Sequence, residues 1–221
     1  MQEKIERGVV AETIEQVLWE VAQYGKDRAN GTREMINYIS VIEFKNSGGS
    51  IVVGSSEIDG MNIGREQSNI IRLYNSQMNN DWERKLATED YHYAFLQYGL
   101  LHKIRETNFF HQEGVESRKN IIFSSDCISS IQLIVRDEEV GLMVHMRSSD
   151  VFNLLPLDLL ALTKILRAVI HEHSIDVSER RVCMHITYGS LHIYEGDIEA
   201  AIEVGVGPGG EKYNETVRRN L

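Results

Sequence analysis

The chain is poor in proline and cysteine, with two of each in 221 residues. Cys127 and Cys183 are too few for a disulfide framework, so a reducing compartment is expected. No apolar run approaches the roughly 20 residues of a membrane-spanning helix. The N-terminus, MQEKIERGVV, lacks the apolar segment of a signal peptide. These absences lead us to expect a cytoplasmic protein with no membrane partner. Basic residues are also short, since 23 Lys and Arg against 33 Asp and Glu give a formal charge of −10. That argues against a general nucleic-acid binder, which shows a basic face. An anionic small ligand remains open, because a local arginine cluster overrules net charge. There is no internal repeat and no low-complexity segment.

The hydrophobic content of 42% suits one globular domain over residues 1–221. Apolar spacing predicts a helix over 9–24, with Gly25 as its stop. The segment GKDRANGT reads as a polar loop. EMINYISVIEF reads as a strand, NSGGS as a turn and IVVG as a short strand. Two helices are expected near 66–76 and 90–105. NIIFSS, SSIQLIVRD and GLMVHMR read as strands, the last two turning at DEEVG. LDLLALTKILRAVIHEHS is a helix. RVCMHITYGSLHIY is a strand with a bend at Gly189, and GDIEAAIEVG a final helix. Helices and strands neither alternate strictly nor separate, so the expected class is α+β with a largely antiparallel or mixed sheet.

One stretch, HMRSSDVFNLLPLD (145–158), puts Arg147, two serines and Asp150 where a strand hands over to a helix, with Asp158 in that helix's first turn. Arg147 and Ser148 suit a phosphate, because a guanidinium binds it through two hydrogen bonds. The plain alternative is a surface ion pair. Cys127 lies across the expected strand pair from Arg147. In YGSLHIYEGDIE, His192 and Tyr194 fall on one face of a strand by period-two alternation.

This set, Cys127, the Arg-Ser-x-Asp run, Asp158 and the His-x-Tyr pair, resembles the thymidylate synthase superfamily, which includes the deoxycytidylate hydroxymethylases. The resemblance covers residues 117–200, with an echo at Arg28 in DRANGT. It implies a thymidylate synthase-like fold, a mixed sheet packed with helices, and a sheet face forming a homodimer interface. It implies a transferase that modifies C5 of a pyrimidine nucleoside monophosphate, with 5,10-methylenetetrahydrofolate as one-carbon donor. Pyrimidine C5 is a poor nucleophile, and thiolate addition at C6 makes it enamine-like. By resemblance Cys127 is the nucleophile. Arg147 binds phosphate and holds the thiolate form, and Ser148 and Arg28 add phosphate contacts. Arg118 and Lys119 look like the basic pair donated across the dimer. His192 and Tyr194 hold the sugar hydroxyl, and Asp150 sits near the ring or the folate. Asp158 stands where uracil-specific members carry Asn. A carboxylate accepts from cytosine's N4 amine, which leans the reading to dCMP and a hydroxymethyl product. The alternatives are dUMP methylation, or a nucleotide-binding protein without folate chemistry. Asp158 would otherwise simply favour the helix dipole.

The sequence departs from the family pattern in places. Asp126 and Ile128 flank Cys127, where Pro and often His are usual, and a neighbouring carboxylate disfavours a thiolate. Asn69 falls where the family's proton-transferring glutamate is expected, with Glu66 one turn earlier. Leu154 replaces a glycine that lies against the folate. The nucleotide half of the site looks kept and the folate half altered. No metal site is expected: His171 and His173 at a helix end do not converge on one ion, and Cys183 reads as a core residue. GVGPGG lacks the Lys-Ser/Thr of a phosphate loop, and the sequon at Asn214 carries no weight in a cytoplasmic protein.

Overall fold

The helix α1, Val9–Tyr24, buries Val10, Ile14, Val17, Leu18, Val21 and Ala22 along one stripe. That is the spacing of an amphipathic helix with one face on a core. It ends where Gly25 donates its N–H to the Val21 carbonyl at 2.9 Å. A Cβ on Gly25 would sit 2.4 Å from that oxygen, so only glycine fits this close exit. This computed structural model describes residues 9–47, 50–52, 114–123 and 127–205. The helices expected near 66–76 and 90–105, with Glu66, Asn69 and Asp126, lie outside the described residues.

The strands are β1 (Lys26–Arg28), β2 (Thr32–Ser47), β3 (Ser50–Val52), β4 (Ile121–Phe123), β5 (Ile128–Val135), β6 (Glu139–Asp150) and β7 (Arg181–Tyr194). Six of them form one sheet in the order β1-β2-β7-β6-β5-β4, and β3 folds back as a hairpin on the far end of β2. β6 and β7 are parallel and every other pair is antiparallel. The parallel pair requires a crossover, and α2, Leu155–Glu172, provides it. Pro156 stands in its first turn, where a missing N–H costs nothing. Ser174, at φ 49°, turns the chain into the left-handed region just past the helix end. A 3-10 turn, Glu195–Asp197, leads into α3, Ile198–Val204.

The class is therefore α+β with a mixed sheet. The segment read as a polar loop instead pairs residues 26–28 with β2. β2 and β6 each run beyond the spans expected from sequence, because cross-strand bonds extend them past their apolar centres, whereas α2 starts and ends two residues earlier than LDLLALTKILRAVIHEHS.

One sheet face carries the core. Ile42, Phe44, Leu133, Leu142, Val144, Met184 and Ile186 lie in one cluster with the buried stripes of α1 and of α2 (Leu155, Leu159, Leu162, Leu166). Among the described residues nothing covers the middle of the other face, where Ile39 is 65% exposed, Val41 55% and Met143 49%.

Candidate active site at the bulged end of the sheet

Four neighbouring strands are irregular along one line. In β2, Asn37 takes φ 55° and drops out of the ladder between Ile36↔Ser190 and Tyr38↔Tyr188. In β6, Arg147 drops out between Met146↔Tyr188 and Ser148↔Ser190. The β5 register shifts between Ile128 and Ser130. Gly189 lies between Asn37 and Arg147, and a Cβ there would sit 2.6 Å from the Arg147 carbonyl oxygen. Asn37, Gly189 and Arg147 drop out together, so the register of β2, β7 and β6 is kept while the side chains that face the core change parity. Before the line the even positions Val144, Met146, Ile186 and Tyr188 are buried; after it the odd positions Ser149, Leu191 and Ile193 are. Ser148, Ser190, His192 and Glu34 therefore share the open face at this end.

This end brings together residues distant in sequence. The Arg147 N–H donates to the Cys127 carbonyl at 2.7 Å. The Ser148 hydroxyl points at the Cys127 sulfur, with Oγ 3.9 Å from Sγ. Cys127 is half-buried and Arg147 exposed. Beside them Ser190, paired in register with Ser148, donates to Glu34 Oε1. The Arg28 Nε donates to Glu34 Oε2 at 2.7 Å. Glu34 stands opposite His192. The Ser190 hydroxyl, opposed by burial and aided by Arg28 and His192, holds the Glu34 carboxyl below its usual range. The His192 and Tyr194 rings meet edge to face at 5.3 Å. Cys127, Ser148, Ser190, Glu34 and Arg28 thus make a row across the sheet.

The other expected site residues sit differently. Asp150 is buried, and its carboxylate closes the turn before α2: Oδ1 accepts the N–H groups of Phe152 and Asn153, each at 3.1 Å, and Oδ2 accepts the Asn153 amide at 2.9 Å. Asn153 also donates to Asp197. Asp158 is 1% exposed and accepts from Ser149 Oγ at 3.1 Å. Consecutive strand residues project to opposite sides, so Ser148 turns to the thiol and Ser149 to Asp158. Leu154 is half-buried and packed against the core. Arg118 and Lys119 are exposed, just before β4. The Arg118 carbonyl accepts from Gln132, midway along β5, whereas Cys127 stands at the start of that strand. At about 3.3 Å per residue the pair lies more than 15 Å from the thiol along the strand.

Ser190 and Glu34 were not singled out from the sequence. Ser190 was within reach, because it lies two residues before His192 on the same strand. Glu34 was not, because its place depends on a β2–β7 pairing that no local pattern encodes. Chemically, the row offers a thiol, two hydroxyls and one guanidinium group paired with one carboxylate. No family model matches the chain, and no curated protein matches it.

Proposed function

We propose that the chain is a transferase that modifies C5 of a pyrimidine nucleoside 5′-monophosphate through a Cys127 adduct at C6. dCMP hydroxymethylation is the favoured case and dUMP methylation the alternative. The observation that carries the reading is the meeting of Cys127 with Arg147 and Ser148, twenty residues on, at one sheet end. A nucleophile and a phosphate-binding pair in one place is what addition to a bound nucleotide requires. In this reading Arg147, Ser148 and Arg28 hold the phosphate, and His192 and Tyr194 the sugar. Asp158 reads the base and Asp150 fixes the turn that presents it. The donor, 5,10-methylenetetrahydrofolate, supplies the one-carbon unit, and Leu154 marks the donor side by resemblance. The exposed Ile39, Val41 and Met143 give the open sheet face an apolar character that suits a homodimer interface. Arg118 and Lys119 then serve the partner's phosphate.

Tritium release from C5-labelled dCMP and dUMP, each with and without the donor, tests the reaction. Donor-dependent release from dCMP alone is expected. Release from dUMP alone would keep the chemistry and overturn the base. Cys127→Ala abolishes release while nucleotide binding survives, and full activity in that variant would sink the covalent mechanism.

A second reading has its own observations. Glu34 already occupies Arg28, and Asp158 is buried. A nucleotide-binding protein without folate chemistry predicts nucleotide binding, no tritium release and indifference to Cys127→Ala.

A further inference from the structure

At the opposite end of β6 and β7 a second cluster stands on the open sheet face. Nine residues of β6 separate it from Ser148, roughly 25–30 Å at strand rise. Cys183 and His185 are two apart on β7 and so share a face, and Glu139 begins the neighbouring β6. The Cys183 sulfur lies 3.1 Å from His185 Nε2, and the same nitrogen lies 3.1 Å from Glu139 Oε1. All three ligand atoms fall within 4.8 Å of one another.

We propose that Glu139, Cys183 and His185 bind one zinc-class divalent cation through a carboxylate, a thiolate and an imidazole, with the fourth position open to water. Convergence on a single ring nitrogen distinguishes this from a catalytic relay. A relay uses both imidazole nitrogens, one toward the thiol and one toward the acid. Here both neighbours crowd Nε2, the arrangement a central ion takes over. Bond lengths of about 2.3 Å to sulfur and 2.0–2.2 Å to nitrogen and oxygen put the edges of a tetrahedral site near 3.4–3.6 Å. The two 3.1 Å separations need to open by only a few tenths of an ångström, and the sulfur–oxygen separation, within 4.8 Å, has to settle at about 3.6 Å.

The surroundings fit. Arg181 holds Glu139 by its other oxygen, Oε2, which leaves Oε1 directed at the cluster. Such an outer contact fixes a ligand's orientation. Gly141 stands opposite Cys183 in register, so Glu139 reaches the sulfur with no side chain directly across from it on β6. Glu43 pairs with Cys183 from the β2 side and adds negative charge beside the site. Sulfur, nitrogen and oxygen together favour zinc and its neighbours over magnesium or calcium, which take oxygen alone. On binding, the Cys183 S–H bond breaks, its proton goes to solvent and the sulfur pair bonds to the metal.

The test is a cobalt(II) titration of the full chain after chelator treatment, followed by optical spectroscopy. One equivalent is expected, with a near-ultraviolet sulfur-to-cobalt charge-transfer band. The band disappears in Cys183→Ser and is unchanged in Cys127→Ser. His185→Gln and Glu139→Gln lower the affinity at least about tenfold. His185 is half-exposed, so its variant gives a readout even if Cys183→Ser fails to fold. The absence of a charge-transfer band overturns the site. So does a band that Cys127→Ser removes, or cobalt affinity that His185→Gln leaves unchanged.

Discussion

Glu34 shows how one side chain sets the character of a site. Its carboxylate accepts from both Ser190 and Arg28, so the arginine in the row is already paired. A phosphate arriving there must displace that carboxylate or share the guanidinium with it. Glu34→Gln removes the charge and keeps the shape. It is expected to tighten nucleoside monophosphate binding several-fold, measured by calorimetry, and weaker binding would show that Glu34 helps hold the ligand. The same group gives a pH signature. Its folded value lies below the ordinary 4.5. Its stabilising contribution is therefore complete above 4.5 and is lost as pH falls through the depressed folded value. The gap in Tm between the native chain and Glu34→Gln should be widest near neutrality and narrow progressively as pH falls below 4.5. A gap that does not narrow on acidification would remove the ion pair from the stability account.

At the scale of elements, the line through Asn37, Gly189, Arg147 and the Ile128/Ser130 shift turns a sheet into a site. Gly189→Ala drives a Cβ to within 2.6 Å of a backbone carbonyl that the sheet holds in place. A destabilisation of about 1–3 kcal/mol is expected, read from urea denaturation. A neutral result would mean that the bulge relaxes freely. On the core side, Leu162 in α2 is fully buried, and Leu162→Ala should cost about 2–5 kcal/mol. These elements differ in how far the sequence exposed them. α1 and α2 were legible because a helix buries a stripe whose period is written locally. The bend at Gly189 was legible as a lone glycine in a strand. Its alignment with Asn37 and Arg147 was not, because bulges line up through pairing partners far along the chain. The Asp158 carboxylate could be placed in the first turn of α2, but its orientation toward Ser149 depends on which residues of β6 face the helix. That phase reverses at the bulge. Cys183 was read as core from its apolar neighbours, and it is indeed buried. Its sulfur nevertheless meets His185, on the face away from the core cluster.

At the scale of the molecule, the described helices lie on one side of the sheet, while on the other Ile39, Val41 and Met143 are exposed. A dimer through that face predicts that Ile39→Asp together with Val41→Asp shifts the sedimentation coefficient from dimer to monomer. A native chain that sediments only as monomer at micromolar concentration would remove both the interface and the role of Arg118 and Lys119. Mixed α+β architecture was legible from the order of periodic segments. The sheet order was not, since no local pattern places β7 rather than β4 or β5 beside β2.

That sheet order also sets a timetable for synthesis. β2 finds its long partner only in β7, roughly 130 residues later in the chain. At about 5–20 residues per second, β2 waits roughly seven to twenty-five seconds on the ribosome before its ladder can close. Throughout that interval its apolar residues have no partner strand, so folding must follow release of nearly the whole chain. A nascent chain halted before β7 would be a client for holding chaperones, whereas one halted just after it could already close the sheet.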